Sequence, residues 1–273
     1  MLEDQPMNVH VILKPALMAK VLCLGMISFS GCSTFKSAEE AAREVEIRDT
    51  KLGIVVNYLD QGKPDQAYNE ARKLYREAPS DARAMNLMGL CHLALKQPKS
   101  AATMFRKALS VQEDPAYRLN LSSALLDQKA YRAALSTLLK LNEKNLTDYR
   151  FPERVSHNRA AAYLGLGKRK LAIKHFQAAL RDNPAYYPTL MQLATLMEQQ
   201  KDRVAASLLY ARARDACLKC FEPVRVLARN ELSSGSKQKA LSMLEEYVKE
   251  DDIDPKDRDL AKSMISKISP TTR

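Results

Sequence analysis

Six alanines recur along the chain, Ala67, Ala101, Ala134, Ala172, Ala206 and Ala240, with successive gaps of 34, 33, 38, 34 and 34 residues. Their neighbours recur with them. Twelve residues before each stands Val55, Gly89, Ser122, Ala160, Ala194 or Ala228, small in all but the first. Nine before each stands Tyr58, His92, Leu125, Tyr163, Met197 or Glu231. Four after come Ala71, Phe105, Leu138, Phe176, Tyr210 and Leu244, and seven after come Leu74, Ala108, Leu141, Ala179, Ala213 and Tyr247. Spacings of three, four and seven share one face of a helix. Two helices cross closely only where side chains are small. A chain with this pattern is a row of helical hairpins, each covering the apolar face of the next. Composition agrees, with eight Gly and no Trp in 273 residues.

A helix–turn–helix period of 34 residues is the length of the tetratricopeptide repeat. The expected fold is therefore all-α, a tetratricopeptide-repeat solenoid of about six repeats wound as a right-handed superhelix. The repeats are set at 48–81, 82–114, 115–148, 153–186, 187–220 and 221–254. Pro79 and Pro184 close theirs; the third repeat lacks that Pro, and Glu231 replaces an aromatic in the sixth. Residues 255–273 are read as cap and tail, with 256–268 a polar-faced helix that gives the stack a wettable end. First helices line the concave side of such an array. Projection places Leu52, Val56, Leu59, Asn86, Leu90, Leu93, Leu119, Ser123 and Leu126 there. As an open groove these would hold an apolar or amphipathic segment of another protein; the same spacing also fits inter-repeat core. The chaperone-binding version of the fold clamps a C-terminal carboxylate with Lys and Asn, where this chain has Leu52, Leu90 and Leu119.

The front of the chain has a different character. Residues 21–29, VLCLGMISF, form an apolar run preceded by Lys14 and Lys20, the length of a signal h-region and too short to span a bilayer. The run FSGC, ending at Cys32, resembles the lipobox of bacterial lipoproteins, with Phe29 where Leu is usual. That resemblance implies a signal peptide over 1–31, lipid on Cys32 and a tether over 32–47. It also implies an outer-membrane destination, because Ser33 and not Asp follows. The acidic opening MLEDQP does not suit an n-region, so translation is expected to start at Met7 or Met18. A buried or amphipathic helix with an incidental Cys is the alternative.

Reaction chemistry is scarce. GLGKRK, 165–170, has Ala162 where a phosphate loop needs Gly and no strand before it, so it reads as an inter-helix turn. His10, His92, His157 and His175 show no metal-ligand spacing, and His92 falls on the packing face. No catalytic residue, metal or cofactor is expected. Cys217 and Cys220 form one C-x-x-C at a repeat boundary, either a local disulfide or two packed thiols. The net charge of +11 is spread along the chain and not blocked, so no nucleic-acid partner is expected, although a cytoplasmic nucleic-acid-binding array is the reading that charge would prompt.

The run YRFPERVSHN, 149–158, interrupts the register and accounts for the 38-residue gap. With Phe151, Pro152, Glu153 and Arg154, with LLDQKAYRAAL at 125–135 and with the Cys32 lipobox, the chain resembles the type IV pilus biogenesis lipoproteins, PilF, PilW and Tgl among them. The resemblance implies an outer-membrane pilotin facing the periplasm, a non-enzymatic adaptor promoting assembly and localisation of the pilus secretin. The residues by themselves read only as an anchored, helical, peptide-binding adaptor. A general periplasmic scaffold for other envelope complexes is the alternative.

Overall fold

The computed structural model describes residues 38–141 and 149–269; the expected signal segment and Cys32 lie outside them. The described residues form helices and turns. The first repeat is α1 (Ala38–Asp60) and α2 (Pro64–Glu77), the second α3 (Ala82–Ala94) and α4 (Pro98–Val111), the third α5 (Pro115–Asp127) and α6 (Tyr131–Leu139). Then come α7 (Pro152–Gly165) and α8 (Arg169–Asp182), α9 (Tyr187–Gln199) and α10 (Arg203–Ala216), α11 (Phe221–Ser233) and α12 (Lys237–Lys249), and finally α13 (Pro255–Ile268). Among the described residues the helices follow one another as six pairs, with α13 after the last. The chain divides into two compact units, one up to Thr137 and one from Leu138. Within each unit, helices pack on their neighbours in order: α1 to α5 in the first, α7 to α13 in the second.

One boundary is corrected. Residues 38–47, expected to be tether, belong to α1. AEEAAREVEI is dominated by strong helix formers, with Glu39 and Glu40 in the first turn opposing the helix dipole. Residues 142–148 of the third repeat lie outside the described residues.

The periodic alanines are buried, five of the six completely. So are their small partners Val55, Ser122, Ala160, Ala194 and Ala228. Gly89 shows why small size matters: a Cβ there would lie 2.4 Å from Phe105 Cε1, and Phe105 is itself fully buried. In the second unit, Phe176 occupies the equivalent place in one core with Ala160, Ala172, Leu190 and Ala194. Phe221 and Tyr247 meet at 5.1 Å in the next core, which Ile253 and Ala261 close from the capping side. The sixth repeat accommodates Glu231 through an ion pair to Lys239 on its second helix, at 2.5 Å.

Each hairpin turns in the same way. Gly62, Lys96, Lys129, Gly167, Lys201 and Gly235 all have φ between 56° and 84°, at the spacing of the alanines. At each, the residue's own N–H reaches back three residues, as Gly62 N to Leu59 O and Lys201 N to Glu198 O. The next N–H reaches back five, as Lys63 N to Tyr58 O and Asp202 N to Met197 O. This pair of bonds satisfies the carbonyls at a helix end, and Gly fits the left-handed position without a Cβ penalty.

Two substitutions test these constraints with opposite signs. Gly89→Ala should lower stability by about 1–2 kcal/mol, the overpacking against Phe105 exceeding the helix gain of Ala. Lys201→Gly should raise it by up to about 1 kcal/mol through relief of the left-handed strain. Both are read from urea-unfolding midpoints.

Candidate functional site

The first-helix face of the first unit was the expected partner groove. Leu52, Leu59, Asn86, Leu90, Leu93 and Leu119 are at most 8% exposed and belong to the interior. Val56, Ser123 and Leu126 are half-buried and present surface. The expectation of an open nine-residue groove is thus corrected for six positions. The cause lies in α3. Met85, Leu87, Met88, Leu90, Cys91 and Leu93 run around its whole circumference, the pattern of an enclosed helix and not of one with a wet stripe. It packs against α1, α2, α4 and α5.

Polar groups inside this unit are matched. Asn120 Nδ2 donates to Asn86 Oδ1 at 2.9 Å, joining α5 to α3 in the interior. Ser122 Oγ donates to the Leu119 carbonyl at 2.6 Å, and Ser123 Oγ to the same carbonyl at 3.2 Å. His92, a packing-face residue as expected, pairs through Nδ1 with Gln97 Oε1 at 2.8 Å and meets the Tyr68 ring edge-on. Arg83 ties α3 to α1 through Asp49 at 2.6 Å, while Asp81 caps α3 by accepting from the Arg83 N–H at 2.8 Å.

In the second unit the run at 151–154 opens α7. Phe151 is the N-cap residue, Pro152 occupies the first turn, and Arg154 N donates to Phe151 O at 3.2 Å. Proline suits that position because its missing N–H would have no helical partner there. Glu153 is buried, and burial raises its carboxyl above the usual range, with Asp182 adding and Arg154 opposing. Burial raises the pKa of the Tyr186 phenol at the start of α9, and the nearby Arg154 charge opposes that rise. One turn on, His157 Nδ1 lies 2.8 Å from Thr189 Oγ1, and its ring sits 5.5 Å from both Phe176 and Tyr186. Burial, with Arg154 adding to it, lowers the His157 pKa to about 4. Arg159 donates to the Leu138 and Leu141 carbonyls, joining the end of α6 to α7.

His157, Tyr186 and Thr189 had not been singled out as partners of the 151–154 run. Only the 34-residue equivalence of 152 with 186 and of 155 with 189 could have paired them. The cluster gathers acid, base and hydroxyl around the fully buried Thr189, and the His157–Thr189 pair docks α7 on α9. Among the described residues no three His, Cys, Asp or Glu converge as metal ligands. Cys217, the C-cap of α10, and Cys220, the N-cap of α11, are joined as a disulfide with Cα atoms 5.3 Å apart. Tyr247 from α12 donates to the Lys219 carbonyl within that turn at 3.0 Å.

With this geometry in view, comparison with known proteins is informative. A family model of the tetratricopeptide repeat matches residues 52–117. The type IV pilus assembly protein PilF of Pseudomonas aeruginosa is 27% identical over 198 residues, covering 70% of this chain and 77% of that protein. The solved structure of P. aeruginosa PilF aligns with a TM-score of 0.60 at 22% identity, over 84% of this chain and 95% of that one. PilW, titled a widely conserved type IV pilus biogenesis factor, aligns at 0.60 and 15% identity, over 80% and 99%. At those identities the two structures speak for the fold alone.

A histidine held neutral binds its proton less readily folded than unfolded. Its stabilising effect is therefore complete above about pH 6.5 and lost as pH falls towards 4. For His157 the loss reaches roughly 3 kcal/mol. Glu153 acts oppositely, because its raised carboxyl takes up a proton more readily in the fold. The measurement is therefore a difference: between pH 6.5 and 4 the parent should lose more stability than His157→Gln. Equal losses would mean that His157 titrates as in the unfolded chain.

Proposed function

We propose, from the premise that the chain is a tetratricopeptide-repeat protein homologous to the pilus assembly protein PilF, that it is a type IV pilus biogenesis adaptor. In this reading it is a pilotin: a lipoprotein held at the periplasmic face of the outer membrane by acyl chains on Cys32, where it promotes assembly and localisation of the pilus secretin. The observation that carries the reading is sequence similarity to PilF over 198 residues, which spans both compact units and not a single repeat.

Three features support it. Two or more acyl chains on one residue anchor a protein stably, at about 0.8 kcal/mol for each buried methylene, and no described helix is long and apolar enough to cross a membrane. The Cys217–Cys220 disulfide suits an oxidising compartment such as the periplasm. Repeat surfaces of this type recognise partner segments. Partner capture falls to surface side chains. On the first-helix face these are Val56, Ser123 and Leu126, surrounded by an interior rigid enough to hold them in place. A secretin segment with apolar side chains facing this surface would be bound and carried to the membrane with the anchor.

Deletion of the gene should remove secretin multimers and surface pili, and Cys32→Ala should leave the protein soluble in the periplasm. Val56→Glu with Leu126→Glu should reduce multimers at least ten-fold on heat-free gels while circular dichroism is unchanged, because neither residue is in the core. Normal secretin multimers accompanied by cell-shape defects would favour the general envelope scaffold instead.

A further inference from the structure

The second unit carries a surface whose chemistry the adaptor reading does not use. On the outward face of α8 lie Lys170, Lys174, Gln177 and Arg181, with Lys168 and Arg169 at its start, all exposed. None of these five cations is held in an ion pair among the described residues. The one carboxylate of α8, Asp182, stands at its far end. One repeat on, Val204 and Leu208 occupy on α10 the places that Lys170 and Lys174 hold on α8. They are 83% and 63% exposed, and Leu171 beside the cations is 39% exposed. Arg203 repeats Arg169 and is also exposed. Arg212 of α10 donates to the Pro184 carbonyl at 2.9 Å, which holds α10 beside the chain leaving α8.

A face that meets only water would be polar at 204 and 208, as the sixth repeat is with Gln238 and Ser242 at the equivalent places. An acidic protein surface would pair the cations and leave Val204 and Leu208 without a use. An anionic bilayer satisfies both, since headgroups attract the cations and apolar side chains reach the acyl boundary. We propose that the outward face of α8 and α10 docks on an anionic phospholipid surface. This contact is separate from any lipid on Cys32 and lays the second unit against the membrane.

The test uses the full chain carrying Cys32→Ser, so that no acyl chain contributes, and vesicles of phosphatidylglycerol with phosphatidylcholine or of phosphatidylcholine alone. Sedimentation should show tighter binding to the anionic vesicles, weakening with salt. Lys170→Gln with Lys174→Gln should lower that affinity about thirty-fold. Val204→Ser with Leu208→Ser should lower it about ten-fold while leaving weak binding to poly-glutamate unchanged. Circular dichroism of both variants should match the parent. Variants that bind anionic vesicles as the parent does would overturn the proposal. So would capture by poly-glutamate without capture by vesicles, an outcome that assigns the face to an acidic protein.

Discussion

The structure depends on the close crossing of two helices within each hairpin, made at positions that tolerate almost no side chain. Gly89 lies so near Phe105 that one added carbon would collide with the ring. Alanines at 160, 194 and 228 allow the same approach in later repeats, all with no exposed surface. Close approach lets the residue four positions beyond the periodic alanine, which from the second repeat on is Phe105, Leu138, Phe176, Tyr210 or Leu244, fill the interior. Dense packing of this kind is sensitive to single methyl groups. A left-handed turn residue then returns the chain in every hairpin, so that within each unit successive helices pack in order.

Polar groups enter this frame only where a partner awaits them. The Asn86–Asn120 bond joins first helices of adjacent repeats, and His157 with Thr189 does the same in the second unit. Such pairs do not merely fill space: leaving one member without its partner costs more than the bond itself contributes. They select the register in which one hairpin meets the next. The run at 151–154 has this character too, since Phe151 and Pro152 start α7 while Glu153 and Arg154 turn towards α8 and α9. A sequence signature noticed for its family resemblance thus has a local physical role in restarting the array.

The two units present different surfaces. Half-buried side chains on the first-helix face of the first unit are backed by an apolar interior, while the second-helix face of the fourth and fifth repeats is cationic and apolar together. Surfaces of unlike chemistry suit unlike partners.

The all-α fold and the buried alanines were legible in the sequence, because both follow from a spacing that only one helical face satisfies. The side of a first helix that stays wet was not legible. Leu90 and Val56 hold equivalent places in their repeats, and only the packing of α3 among four other helices makes one interior and leaves the other at the surface. Residues 38–47 became helix although their spacing carries no repeat signal, because strong helix formers extend α1 towards its N-terminus. His157 finding Thr189 is a contact between residues more than thirty positions apart. Local pattern determines which hairpins form; the three-dimensional stack decides which of their side chains remain available, because burial is a property of neighbours and not of the residue.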